Sequence, residues 1–251
     1  MDPLSKRVQR SFSRSFDTYH DAASQQAWIA NKLVQELHDH GAPTHFQSAF
    51  ELGAGTGHLT QQLCNLFEIT QFTVNDLSPE AKATAQQAGA DFLCGDARSI
   101  SWPQNLDLIA SASMIQWMSD PAAFLQQAAS ALATDGWLAI SGFGPAQYRE
   151  LHRVGSTAMA PGLMHPTQMA EAVKDRLDII AIGQSINTLS FETPRDVLKH
   201  LRKTGVNGRA QSTWTKSRLA AFSDAYKSLF ADENGVSLTY NPTWIIARKS
   251  R

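Results

Sequence analysis

Cysteine is nearly absent from this chain of 251 residues: Cys64 and Cys94 are the only two, and they form no C-x-x-C pair. A disulfide framework and a cysteine-based zinc site are thereby disfavoured, and a reducing, cytoplasmic setting is the default expectation. No apolar run approaches the ~20 residues that a membrane-spanning helix needs. The opening residues, Met1-Asp2-Pro3-Leu4-Ser5-Lys6-Arg7, lack the apolar core of a secretory signal. Net charge is also missing, at −1 overall with 43% hydrophobic residues, which excludes a disordered chain. His38, His40 and His45 match a metal cluster by count only, because residues two apart diverge on a helix. No metal site is expected.

Charge is present but uneven. Between Arg195 and Arg218 there are seven basic residues and one acid, Asp196, so a basic stretch sits on an acidic remainder. Either it is a solvated face or it meets an acidic partner. Lys6, Arg7, Arg10 and Arg14 make a second basic face, without any base-reading motif beside it.

Short apolar runs at 49–52, 72–75, 92–94, 106–109 and 137–140 alternate with helix-compatible stretches at 59–67, 79–88 and 121–132. Such alternation predicts a mostly parallel sheet covered on both faces. Pro79 and Pro121 suit the first turn of a helix, and Gly136 reads as a helix-ending turn before the fifth strand. A helix is expected over 24–38, with Trp28, Ile29, Leu33 and Leu37 on one stripe. After the core, 148–174 and 195–230 read as helices, 177–182 and 186–191 as strands, and 243–248 as the last strand.

The most informative segment is Glu51-Leu52-Gly53-Ala54-Gly55-Thr56-Gly57, between a predicted strand and a predicted helix. Its glycines allow a tight turn and close ligand approach. The dinucleotide pattern G-x-G-x-x-G fails at His58, and the P-loop ending G-K-[ST] is missing. An acid ahead of the loop suits a cation rather than a diphosphate. The ammonium and sulfonium groups of S-adenosylmethionine are both cationic, which makes Glu51 a candidate to hold that end of the ligand. Asp76 ends the second strand, where a ribose acceptor belongs, and Asp96 ends the third, within reach of an adenine amino group. Alternatively, Asp76 caps the turn at Ser78-Pro79 and Asp96 closes a turn.

With Leu106-Asp107-Leu108-Ile109-Ala110-Ser111 as a fourth motif, this set resembles the class I S-adenosylmethionine-dependent methyltransferases. The flanks resemble one family among them, the malonyl-acyl-carrier-protein O-methyltransferases of biotin synthesis. The matching pieces are Phe12-Ser13-Arg14, Tyr19, Gln26, Gln116-Trp117, Phe143-Gly144-Pro145, Glu150-Leu151-His152, Leu201-Arg202-Lys203-Thr204-Gly205 and Leu238-Thr239-Tyr240. Departures are Ala54 where the family usually has Cys, Ala112 where it has Asn, and no Arg-Phe pair near 162–165.

The resemblance implies an α/β, Rossmann-like fold with a seven-stranded, mostly parallel sheet whose last strand runs antiparallel. It implies one domain over 1–251: lid helices over 1–40, a cofactor core over 45–145, a helical substrate and carrier region over 146–235, and the last strand over 236–251. S-adenosylmethionine is the implied cofactor, and malonyl-acyl carrier protein the implied substrate and partner, with neither nucleic acid nor membrane. Its donor site would comprise Glu51, Gly53, Ala54 and Gly55 in the loop, Asp76 and Leu77 after the second strand, and Asp96 and Ala97 after the third. Gln26 and Ser111 complete it. Gln116, Trp117 and Tyr240 would line the substrate pocket. Tyr19, on the lid, would donate a hydrogen bond to substrate, and Arg202 would orient its carboxylate, unless Arg202 instead contacts the carrier. Lys199, Lys203, Arg209, Lys216 and Arg218 would steer an acidic carrier into place. Rival readings are a methyltransferase for a free small acid or phenol, and a non-catalytic protein-binding relative.

Overall fold

The computed structural model describes residues 24–156, 159–203 and 214–250. Its strands, in chain order, are β1 (His45–Leu52), β2 (Glu68–Asp76), β3 (Asp91–Cys94), β4 (Leu106–Ser111), β5 (Leu132–Phe143), β6 (Asp178–Gln184), β7 (Asn187–Phe191), β8 (Ala231–Asp232), β9 (Gly235–Tyr240) and β10 (Pro242–Arg248). The helices are α1 (Ser24–Asp39), α2 (His58–Leu66), α3 (Lys82–Gln87), α4 (Pro121–Ala131), α5 (Arg149–Arg153), α6 (Pro166–Val173), α7 (Pro194–Lys203) and α8 (Lys216–Phe230). Seven strands form one sheet in the order β3-β2-β1-β4-β5-β10-β6. The pairings from β3 to β5 are parallel, and β10 runs antiparallel to both neighbours.

Period-two alternation explains how the sheet is covered on both faces. Ile109, Leu138, Ile140 and Ile245 pack on one side against Phe124, Leu125 and Ala128 of α4 and Met169 of α6. Their chain neighbours Leu108, Ala139 and Ile246 pack on the other side against Leu33 and Leu37 of α1 and Leu63 of α2. On α1 the buried stripe is Gln26, Ile29, Ala30, Leu33, Val34 and Leu37, while Trp28 faces outward at 38% exposure. The proline expectations hold at Pro121, whose helix is capped by the Asp120 carboxylate accepting from the Ala123 N–H at 2.9 Å, and at Pro79, which starts a 3₁₀ turn ahead of α3.

Three expectations need correction. Gly136 ends no helix: α4 stops at Ala131 and Leu132 begins β5 directly. Leu106 pairs with Leu132 and Leu108 with Trp137, so the intervening residues of β5 bulge, with Asp135 at φ +66°. Lys249 holds the bulge by accepting from the Asp135 N–H and donating to the Gly136 carbonyl, both at 2.8 Å. The stretch 148–174 is two helices, because Gly155 turns left-handed after α5 and Pro166 opens α6 with His165 as its cap. The segment 236–251 is not one strand. Residues 235–240 belong to a second, three-stranded sheet ordered β7-β9-β8, and only β10 returns to the main sheet.

Buried polar contacts tie these added elements to the core. Glu150 of α5 is 1% exposed and accepts both the N–H of Thr239, at 2.9 Å, and its hydroxyl. Asn241, between β9 and β10, donates to the Ser185 carbonyl at 3.0 Å and accepts from the Ala146 N–H at 3.2 Å. A cluster of Phe143, Tyr148, Val197, Leu201, Tyr226, Leu238 and Tyr240 fills the space between. Among the described residues no helix is long and apolar enough to cross a membrane, and no metal-ligating cluster is found.

Glu150→Ala strands the Thr239 N–H and hydroxyl in the interior and is expected to cost about 2–4 kcal/mol in chemical denaturation. Asp196→Ala, which removes an exposed ion pair with Lys199 and a hydrogen bond accepted from the Thr193 hydroxyl, should cost far less in the same assay.

Candidate active site

The order β3-β2-β1-β4-β5 reverses between β1 and β4, so a crevice opens at their carboxyl ends, where ligands of open α/β sheets bind. The glycine loop leaves β1 at that point. Gly53 and Ala54 donate to the Asn75 carbonyl at 2.9 and 3.1 Å, and Gly55 donates to the Asp76 carboxylate at 2.8 Å. Gly53 and Gly55 have φ of +73° and +53°, a conformation that side chains strain. A Cβ on Gly53 would come within 2.8 Å of the Met114 side chain, whereas one on Gly55 would meet nothing within 4 Å. The loop is thus packed at its first glycine and open at its second.

Glu51 pairs with Val74 on one side and Ala110 on the other, in the middle of the sheet. It is fully buried, with Thr60 as its hydrogen-bonding neighbour through side chain and backbone. Burial pushes its carboxyl up to about 8; the neighbouring Thr60 offsets part of that, and Asp76 adds to it. Buried polar atoms without partners surround this end of the sheet. They are the hydroxyls of Thr56 and Ser113 and the side-chain carbonyls of Gln26 and Gln116. Native interiors rarely leave such groups unpaired. Together they form a buried polar lining at the carboxyl end of β1, of a kind that suits a polar ligand.

The remaining expected residues divide by how far the protein itself already engages them. Asp76 accepts from Gly55 with one oxygen and from the Ser78 N–H with the other, at 2.7 Å, so it bridges the loop and the following turn. Burial raises its carboxyl, against the pull of those N–H donors. Leu77 is half-buried beside it. Asp96 grips Arg98 through both oxygens, at 2.9 and 2.6 Å, and also closes a turn by accepting the Arg98 N–H. Ala97 lies buried, with its carbonyl taken by the Trp102 indole at 2.7 Å. The Ser111 hydroxyl donates to the Leu52 carbonyl at 2.8 Å, which makes it a brace between β4 and β1.

On the substrate side, Gln116 and Trp117 form a 3₁₀ turn after β4. The Gln116 side chain donates to the Ser113 carbonyl, and its backbone carbonyl accepts from the Gly162 N–H at 2.8 Å. Tyr240 is fully buried, with its hydroxyl 2.7 Å from His200 Nε2 and its ring against Phe143 and Tyr148. That placement makes it a link between α7 and the end of β5. Arg202 is exposed on α7, as are Lys199 and Lys203; Lys216 and Arg218 are exposed in the first turn of α8. Tyr19 and Arg209 lie outside the described residues.

Sequence reasoning missed Thr56, Thr60, Ser113 and Met114. Thr56 was visible inside the glycine loop. The positive φ of Ser113, at +57°, has no compositional signal, because serine does not advertise a left-handed turn.

Two predictions follow from this geometry. Glu51 ionises near 4.5 when unfolded and near 8 when folded, so between those values the folded chain holds the extra proton and loses stability as pH rises. Glu51→Gln should remove that slope, leaving the ligand-free variant more stable by on the order of 4 kcal/mol at pH 8–9, read by thermal unfolding across pH. Gly55→Val should abolish donor binding in calorimetry, while Gly53→Val should lose both binding and several degrees of Tm.

Comparison with known proteins agrees with this architecture. A methyltransferase-domain family model matches residues 50–140. The malonyl-[acyl-carrier protein] O-methyltransferase of Chlorobium luteolum is 32% identical, covering 96% of this chain and 94% of its own. That of Bacteroides thetaiotaomicron is 33% identical, covering 97% and 98%. Among solved structures, a candidate methyltransferase from Bacillus halodurans C-125 superposes with a TM-score of 0.64 at 13% identity, covering 87% of this chain and 99% of that one, which supports the fold alone. With this likeness running nearly end to end through both relatives, the chain belongs to the malonyl-[acyl-carrier protein] O-methyltransferase family.

Proposed function

We propose that this chain is an S-adenosylmethionine-dependent O-methyltransferase acting on the free carboxylate of a malonyl thioester carried by acyl carrier protein, the methyl ester then serving biotin synthesis. The observation that carries the reading is Glu51, a fully buried acid at the carboxyl end of β1, in a chain whose relatives bear that name over nearly their full length.

The cofactor supplies a methyl group on a cationic sulfur. Glu51 would hold its cationic end, the Gly53–Gly55 loop would admit it closely, and Asp76 and Asp96 would offer their remaining lone pairs to the ribose and adenine. The malonyl carboxylate is already ionised near neutrality, so no general base is needed. What the chain must do is align oxygen, methyl and sulfur and keep water out. Gln116 and Trp117 would wall the pocket. Tyr19 would close over it and donate a hydrogen bond to substrate. Arg202, two residues beyond the His200 that meets Tyr240, would meet either the substrate carboxylate or the carrier.

Incubation of malonyl carrier protein with the chain and donor should add one methyl group, seen by intact-mass spectrometry; transfer only to free small acids would reject the carrier reading. Reversing Lys199 and Lys203 to Glu should raise KM for the malonyl carrier and flatten its salt dependence, since such charges act on encounter and are screened over ~8 Å at physiological salt. Tyr19→Phe should instead lower kcat for carrier-bound and short malonyl thioesters alike.

A further inference from the structure

We propose that Trp214 is the apolar anchor on which the carrier protein seats, on the basic surface formed by α7 and the start of α8. This rests on the carrier reading above and adds a named contact to it. Trp214 is 49% exposed. It is nonetheless held in place. Its ring meets Phe222 edge-on at 5.1 Å, and Arg218 lies over it at 5.9 Å. Phe222 in turn meets Tyr226 at 5.4 Å, and Tyr226 is fully buried with its hydroxyl donating to the Ser237 carbonyl at 2.7 Å. An aromatic column therefore runs from the second sheet to the surface and ends in an indole that loses little freedom on binding. Fixed Trp and Arg side chains of this kind dominate binding energy at protein interfaces.

The charge around the indole selects the partner. Residues 194–203 and 214–218 contain one acid, Asp196, and it is already paired with Lys199 at 2.7 Å. Lys203, Lys216 and Arg218 are exposed on the same elements, and α7 and α8 pack together. The surface also stands on the correct side of the molecule. His200 of α7 reaches Tyr240, and Tyr240 packs on Phe143 at the carboxyl end of β5, the edge of the sheet where Glu51 lies. An acidic protein with an apolar spot, delivering its thioester toward that edge, fits this surface. A solvated helix face would need the charges but not the indole.

The test compares Trp214→Ala with the Lys199/Lys203 charge reversal on two substrates, malonyl carrier protein and a malonyl thioester of N-acetylcysteamine. Trp214→Ala should raise KM for the carrier by about tenfold or more, leave kcat and the short thioester unchanged, and keep the salt dependence of the parent, because an apolar contact is not screened. Trp214→Phe should recover part of the loss. If the charge reversal moves carrier kinetics and Trp214→Ala does not, the anchor is wrong and carrier docking stands. If neither moves them, docking at this surface fails as well. Equal loss on both substrates would make Trp214 a packing residue, and a change of oligomeric state on Trp214→Ala in sedimentation would assign the surface to a second copy of the chain; either overturns the proposal.

Discussion

One buried carboxylate organises this molecule. Glu51 sits in the middle of the sheet, fully buried and flanked by β2 and β4, and among the described residues no basic side chain pairs with it. An acid so placed is disfavoured in its charged form, and burial raises its pKa accordingly. A fold selected for stability alone would put an apolar residue there. The position makes sense when a cationic ligand completes it, since the energy withheld from the free protein is then released on binding. The glycine loop and the tether from Gly55 to Asp76 exist on the same terms, keeping backbone close to the acid without filling the space beside it.

The rest of the chain supports that site at two distances. Near it, Ser111 braces Leu52, Met114 packs on Gly53, and Gln116 is pinned to Ser113 and Gly162. Farther out, the second sheet and α5, α7 and α8 form a separate aromatic cluster, joined to the core through Glu150, Thr239 and Asn241. The division matches the chemistry. Donor binding needs a rigid sheet edge, and delivery of a protein-bound thioester needs an outer surface with its own charge and its own fixed contacts.

Much of this was legible in the sequence because it depends on local rules. The strand–loop–helix order around Gly53, the acids at strand ends and the prolines at Pro79 and Pro121 all act within a few residues. What stayed hidden depends on long-range pairing. The bulge at Asp135 is set by Lys249 more than a hundred positions away, and the split of 235–248 into strands of two different sheets is set by partners in β7 and β5. Asp96 shows the same limit inside the site. Its place after β3 was readable, but its grip on Arg98 was not, since an acid two residues before an arginine is common and binding through both carboxylate oxygens is a matter of side-chain geometry. For Tyr240 likewise the motif gave the residue, but not its burial with the hydroxyl on His200, which depends on long-range packing.

The central claim, that a buried and largely protonated Glu51 receives a cationic donor, is tested most directly by counting protons. Titration calorimetry of the donor at pH 6.5, repeated in buffers of different ionisation enthalpy, gives the number released per binding event. The account predicts that the parent protein releases close to one proton more than Glu51→Gln does, as the buried carboxyl ionises to meet the ligand. Equal proton counts for the two proteins, with donor affinity unchanged, would mean that Glu51 does not face the donor and would contradict the account.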